Sequence, residues 1–286
     1  MTKLNFTTTG CWEPGEGFGC ASLGLAGICE NSQNKAVSYA EALEGVVITG
    51  TYADVLAKVA ENAQSVYAAI VLFGNAGGEN GFLADLQKIL SCPMVGGGAA
   101  IDGATGKKAL LTGGDQAAVL LITDARYTYE AVTQNIHEDI LEECTLTMAD
   151  KRTLLTINGV DAATFLANKR QTLGLADSDF EHMTLSDKLG VNAHLSCVDG
   201  VIKSGRDLQE TMLLRYVSHE KVYAAMEQFY DDKDAVVFGC AGLSGLLDKP
   251  LTTDSLGLFL FGEVCTVDGK SEFGNLMLSK LRIQRK

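Results

Sequence analysis

A run of strand, helix, strand and glycine-rich turn occurs twice in this 286-residue chain, at a nearly constant distance. The order VVITG, helix, IVLFG and VGGGAAIDG returns as LLRYV, helix, VVFGC and FGEVCTVDG. The landmark pairs are Thr51 and Ser218, Phe73 and Phe238, Gly96 and Gly262, and Asp102 and Asp268. The members of these pairs are separated by 167, 165, 166 and 166 positions, and chance similarity does not hold register in this way. The pattern predicts an internal duplication.

Apolar residues at helical spacing indicate five helices, and short apolar runs rich in β-branched or aromatic residues indicate six buried strands. The helices are expected at 52–63, 82–90, 132–141, 165–173 and 219–230. The strands are expected at 45–50, 68–73, 117–123, 212–217, 234–239 and 256–261. Because most strands stand next to a helix, the sequence predicts a mixed α/β (α+β) fold in which sheets are covered by helices.

The repeat divides the chain into two related halves, residues 1–150 and 151–286, placed around a shared crevice. An atypical Cys- and Gly-rich lead-in, 1–44, precedes the repeat. Within it, Cys11, Cys20 and Cys29 recur every nine residues, which is too wide for a zinc knuckle, so buried thiols are the expectation there.

Charge and composition exclude several classes of partner. The net charge of −13 repels phosphate backbones and anionic lipid, so neither nucleic acid binding nor membrane insertion is expected. Eight cysteines are far too few for a disulfide scaffold of this length. Since no secretion signal or long apolar run is visible, we expect a cytoplasmic protein.

The glycine-rich turns at the strand ends are the predicted binding region. In α/β sheets, ligands bind beyond the carboxyl ends of strands, where exposed N–H groups attract polar atoms. The alternative is that these glycines only make tight turns. Candidate ligand-binding residues in the first half are Asn75, Gly97, Gly98 and Asp102.

Known cofactor and metal motifs do not match. The segment GGGAAIDGATGKK lacks the glycine spacing and the Ser or Thr of a P-loop, and no complete G-x-G-x-x-G is present. The four histidines show no paired spacing that is typical of a metal site. We therefore expect no metal and no catalytic residues, although Cys240 and Glu263 stand at strand ends where a nucleophile or an acid/base could act.

The C-terminal stretch VVFGCAGLSGLL, followed by LGLFLFGEVCTVDGKSEFGNLML, resembles the second half of a FIST domain, a bacterial sensory module. Upstream, AAIVLFGNAGG and LADLQKILSCPMVGGGAAIDG resemble features of its first half. The likeness runs from about residue 45 to the end of the sequence.

The resemblance implies an intracellular signal-transduction domain that binds a small ligand, with amino acids as the usual suggestion and haem in some relatives. Two positions depart from the family pattern, because Leu243 stands where an Arg is common and Gly274 where a His is common. The positions carried over to the ligand site are Cys240, Gly242, Gly262, Glu263 and Asn275.

Three hypotheses follow from the sequence. The first is a non-enzymatic sensor for a small polar metabolite, which signals through an unknown partner protein or a change of oligomer. The second is a small-molecule hydrolase or lyase that uses Cys240 or Glu263. The third is a haem-based gas sensor with His194 or another histidine as the axial ligand, whereas the first two need no cofactor.

Overall fold

The computed structural model describes most of the chain from residue 43 onward and short strand segments before it. Side chains are described only from Leu43, and not at 244–245 or 256–259. The described residues are 4–7, 10–13, 17–19, 22–25, 43–74, 77–98, 116–176, 179–232, 234–246 and 256–286.

Four α-helices lie within the described residues, and they confirm four of the five predicted ones. The Thr51 side chain accepts a hydrogen bond from the N–H of Asp54, which caps the first helix. Gly174 ends the third helix with φ 71°, as its place in the sequence predicts. The helices are α1 (Tyr52–Asn62), α2 (Glu79–Ile89), α3 (Ala162–Leu173) and α4 (His219–Tyr230), with 3₁₀ helices at Phe180–His182 and Ala241–Leu246.

All six predicted strands are present, among others that the sequence did not indicate. The strands are β1 (Leu4–Thr7), β2 (Gly10–Glu13), β3 (Gly17–Gly19), β4 (Ser22–Leu25), β5 (Gly45–Thr51), β6 (Ala68–Phe73), β7 (Met94–Gly98), β8 (Gln116–Ile122), β9 (Tyr127–Asn135), β10 (Asp139–Asp150), β11 (Thr153–Ile157), β12 (Val160–Asp161), β13 (Met183–Ser186), β14 (Asn192–Ala193), β15 (Leu195–Val198), β16 (Val201–Ser204), β17 (Thr211–Tyr216), β18 (Ala235–Cys240), β19 (Leu256–Leu260), β20 (Glu263–Val267), β21 (Lys270–Gly274) and β22 (Met277–Arg285).

Two six-stranded sheets pack face to face, with helices on their outer faces. Residues of β6 alternate between the two faces, so Ile70 and Leu72 meet Phe238 of the other sheet, while Val71 and Phe73 pack under α1 and α2. Helix α4 covers the outer face of the second sheet. This order of layers, helix, sheet, sheet, helix, confirms the predicted α/β fold, and each fully buried Leu or Phe contributes about 1.5–3 kcal/mol.

An eight-stranded antiparallel sheet forms a further layer that the sequence did not indicate. Its order is β14-β13-β17-β10-β11-β16-β15, with β12 paired to β11. Helix α3 packs against it around a separate apolar cluster that includes Leu166 and Leu214.

The helix predicted at 132–141 is wrong, because this segment forms β9 and the start of β10. Strand β9 pairs with β22 along nine residues, and its alternate residues Tyr127, Tyr129 and Ala131 pack on the core between the sheets. Residues four apart share a face in a strand as well as in a helix, so the spacing of Val132, Ile136 and Ile140 did not distinguish the two.

The six-stranded sheets have similar strand orders, β21-β20-β7-β6-β8-β5 and β3-β2-β19-β18-β22-β9. In each sheet a parallel pair, β6 with β7 or β18 with β19, is followed by an antiparallel strand, β8 or β22. The segment 212–217, predicted to match 45–50, is instead β17 of the eight-stranded sheet, and β9 takes the edge position. The shared order agrees with the predicted repeat, whereas descent from a duplication stays a prediction.

Strands from both sides of the expected boundary near residue 150 share the six-stranded sheets. The hairpin β20–β21 extends the first sheet through β7, and β9 extends the second through β22. The division into 1–150 and 151–286 stays a prediction. The sharing of strands matters for the site, because the hairpin β20–β21 places Glu263 opposite Gly97.

Candidate functional site

The glycine turns of the two halves are hydrogen-bonded to each other. The N–H of Gly98 donates to the carbonyl of Gly262 over 3.1 Å, and the N–H of Phe261 donates to the carbonyl of Gly98 over 3.0 Å. A Cβ on Gly97 would lie 2.1 Å from the Gly262 oxygen. The glycines thus allow the backbone of β7 to contact the backbone that leads into β20. The crevice predicted between the two halves is closed at this point.

Gly262 also makes room for Asn275. Its φ of 81° favours glycine, and a Cβ here would lie 2.6 Å from the Asn275 side-chain nitrogen and 2.4 Å from the Phe273 ring. The Asn275 Oδ1 accepts a hydrogen bond from the backbone N–H of His194 over 3.3 Å. The predicted residues Gly97, Gly98, Gly262 and Asn275 are therefore brought together, whereas Asn75 and Asp102 lie outside the described residues.

Glu263, the first residue of β20, is completely buried. Neither carboxylate oxygen accepts a hydrogen bond of good geometry from a described residue. Burial raises the pKa of this carboxyl well above its ordinary value, and this outweighs the lowering by the nearby N–H groups of Glu263 and Met277 and by the Cys240 thiol. A buried carboxyl in this state is held toward its neutral form.

Cys240, at the end of β18, lies beside Glu263 in the interior. Burial first, and then the charge of Glu263, raise the pKa of the thiol to about 12. Only about one thiol in 10⁵ is ionised at pH 7 with such a pKa, so the structure gives little support to Cys240 as a nucleophile. Burial, followed by the charges of Glu263 and Cys240, also raises the pKa of Tyr230 well above its ordinary value. We call Tyr230, Cys240 and Glu263 the acid cluster.

Two partly exposed polar side chains, Glu181 and His194, lie near Gly242 and Asn275. A Cβ on Gly242 would lie 2.8 Å from Cδ2 of Leu276 and 3.7 Å from both the Cys240 sulfur and Cγ of Glu181, so these side chains pack closely around this glycine. Glu181 and His194 are about one quarter exposed, and their Oε1 and Nε2 atoms are 3.7 Å apart. Because the backbone N–H of His194 donates to Asn275, this pair lies beside the turn that contains Gly262.

Haem does not fit at His194. Its Nε2, the atom that would ligate iron, is buried, and Glu181 lies 3.7 Å away on that side. His137 is fully buried against the carbonyl of Glu181, and the Nδ1–H of His182 donates to the carbonyl of Val217. Among the described residues, no three His, Cys, Asp or Glu side chains are placed to hold a metal ion.

The two departures from the FIST pattern occupy packed positions. Leu243 is fully buried in the apolar cluster under α4, where an Arg would be surrounded by hydrocarbon. A Cβ on Gly274 would lie 2.6 Å from Val191, so a His does not fit here without rearrangement. The packing around positions 243 and 274 therefore does not accommodate these two groups without rearrangement.

Sequence reasoning missed Tyr230 and Glu181. Tyr230 was counted only as an apolar residue of the α4 stripe, although a buried tyrosine hydroxyl also needs a polar neighbour. Glu181 stands in a short 3₁₀ helix that no periodicity indicates. A groove of about 510 Å³, lined by residues such as Cys92, Tyr129 and Thr266, lies elsewhere and contains none of the predicted residues.

No protein-family model and no curated protein matches the chain. In the part of the chain that the structure describes, no helix is both long and apolar enough to cross a bilayer.

Proposed function

We propose that the chain is a small-ligand-binding sensory domain that takes up a small polar metabolite with an amine, such as an amino acid, at Glu263. The observation that carries this proposal is the completely buried Glu263 carboxyl, to which no described residue donates a hydrogen bond of good geometry. An ammonium group has three N–H donors and a positive charge, which would satisfy both oxygens and stabilise the ionised carboxylate.

Three neighbours support this assignment. The Asn275 amide lies against Gly262, next to Glu263 in the sequence, and its oxygen accepts from the backbone N–H of His194, whose side chain pairs with Glu181; to these groups we assign the contacts of the rest of the ligand. The sensory role is supported by the resemblance to FIST domains in the segments that contain Cys240 and Glu263. The signal would then pass to a partner protein or to a change of oligomer.

Proton release accompanies binding in this scheme. Without a bound amine, burial holds the Glu263 carboxyl toward its protonated form, whereas a neighbouring ammonium favours the ionised form. Binding of the amine therefore displaces a proton, and the apparent affinity rises with pH.

A thermal-shift screen tests the proposal. The panel contains amino acids, simple primary amines and organic acids, and the proteins are the wild type, Glu263→Gln and the control Glu61→Gln on the exposed face of α1. A bound amine at a hundredfold excess over Kd stabilises the fold by about 2.7 kcal/mol. We expect this shift in the wild type and the control and its loss in Glu263→Gln. No response to any amine, or an equal response in Glu263→Gln, would contradict the proposal.

A further inference from the structure

Arg170 is a buried cation on the apolar face of α3. Ala162 and Leu166, at positions that share this face, are buried with it against the eight-stranded sheet. Arg170 itself keeps only 6% of its surface exposed. A charged side chain therefore stands where the helical pattern calls for an apolar one.

The described acids near this end of α3 are engaged elsewhere. Glu142 pairs with Lys169, Asp179 accepts from the N–H of Ala176, and Glu181 faces His194. No described carboxylate lies within ion-pair distance of Arg170, and its Nε, which is fully buried, has no acceptor.

Partial charges stabilise the guanidinium without neutralising it. Its Cζ lies 4.2 Å from the centre of the Phe180 ring, which is a cation–π contact. Arg170 is also in the last turn of α3, where the helix dipole favours a positive charge. Neither contact supplies a full negative charge.

A guanidinium cannot lose its proton in a protein, so burial does not neutralise Arg170 as it neutralises a carboxyl. Its planar edge matches the two oxygens of a carboxylate or phosphate. We propose that Arg170, held by Phe180, binds the oxyanion group of a small molecule, a carboxylate or a phosphate. This site does not depend on the function proposed for Glu263.

The test measures thermal unfolding against sodium acetate and sodium phosphate at pH 7, with sodium chloride added to constant ionic strength. The proteins are the wild type, Arg170→Met, Arg170→Lys and the exposed control Arg285→Met. We expect at least one anion to raise the Tm of the wild type and the control saturably, by about 3 °C at a tenfold excess over Kd. The response is absent in Arg170→Met and at least tenfold weaker in Arg170→Lys, which keeps the charge without the planar fork.

An NMR signal locates the anion independently of stability. The ¹⁵N–¹H signal of the Arg170 Nε, assigned by its loss in Arg170→Lys, shifts during the same titration with the same Kd. A response to acetate alone identifies a carboxylate ligand, and a response to phosphate alone identifies a phosphate. Equal Tm shifts in Arg170→Met, a stationary Nε signal, or no response to either anion would overturn the proposal.

Discussion

Replacement of Glu263 by Gln changes how stability depends on pH. Glutamine has nearly the shape of the carboxyl and carries no proton that titrates. In the wild type, burial raises the pKa of Glu263 in the folded state well above its value in the unfolded chain, about 4.3. The folded state thus keeps a proton that the unfolded chain loses.

The magnitude follows from this one proton. Below pH 4 both states bind it and the pH dependence vanishes. Above about pH 5 the unfolded state has released it, so the free energy of unfolding falls with rising pH by about 1.4 kcal/mol per unit until the folded pKa is reached. In Glu263→Gln this contribution is absent, so the variant becomes more stable relative to the wild type by the same amount per unit.

Urea unfolding monitored by circular dichroism at pH 4, 5 and 6 measures the difference. The control is Glu61→Gln, whose side chain is exposed in α1, and its curve should run parallel to that of the wild type. If the Glu263→Gln curve is also parallel to the wild-type curve between pH 5 and 6, Glu263 titrates normally and is not held toward its neutral form in the folded state.

Four further perturbations have expected outcomes. Gly96→Ala should destabilise the fold by at least about 3 kcal/mol in urea unfolding, because its Cβ would lie 1.9 Å from a β6 carbonyl oxygen at φ 129°. Gly81→Ala, in open space within α2, should instead stabilise it by about 0.5–1 kcal/mol. Native-state labelling with iodoacetamide at pH 7.5 should modify the exposed Cys197 and spare Cys240, and rapid modification of Cys240 would restore the nucleophile hypothesis. Arg206→Met should cost about 3–5 kcal/mol by leaving the buried Asp187 carboxylate without its ion-pair partner, and a cost below 1 kcal/mol in the same urea assay would refute this role.

Local sequence patterns were sufficient for the helices and strands whose packing partners are close in the chain. Helix α1 has both a capping Thr51 and a continuous apolar stripe, so its limits were predicted. Strand β9 was not predicted, because it depends on pairing with β22, about 150 residues later. Residues four apart share one face in a helix and also in a strand, so the local pattern fitted both. The pairing with β22 decides for the strand, and the helix prediction was therefore wrong.

The candidate site was predicted only in part, because local sequence indicates single residues and not which residues meet in the folded chain. Glu263 was identified from its place at a strand end and Asn275 only from the resemblance to FIST domains, and the structure packs the Asn275 amide against Gly262, which precedes Glu263. That Glu263 faces Cys240 and Tyr230 could not be predicted, because these residues come from β20, β18 and α4, which meet only in the folded chain. The same holds for Arg170, since nothing in its sequence neighbourhood shows that α3 buries it.

The most direct test of the account is a ¹³C NMR titration of the Glu263 side-chain carboxyl, assigned by its absence in Glu263→Gln. In the empty protein we predict a pKa well above the ordinary glutamate value, and addition of the amine identified in the screen should shift the signal to that of the ionised carboxylate. A carboxyl that titrates near pH 4.3 and does not respond to the amine would contradict the central claim that Glu263 is the ligand-binding group.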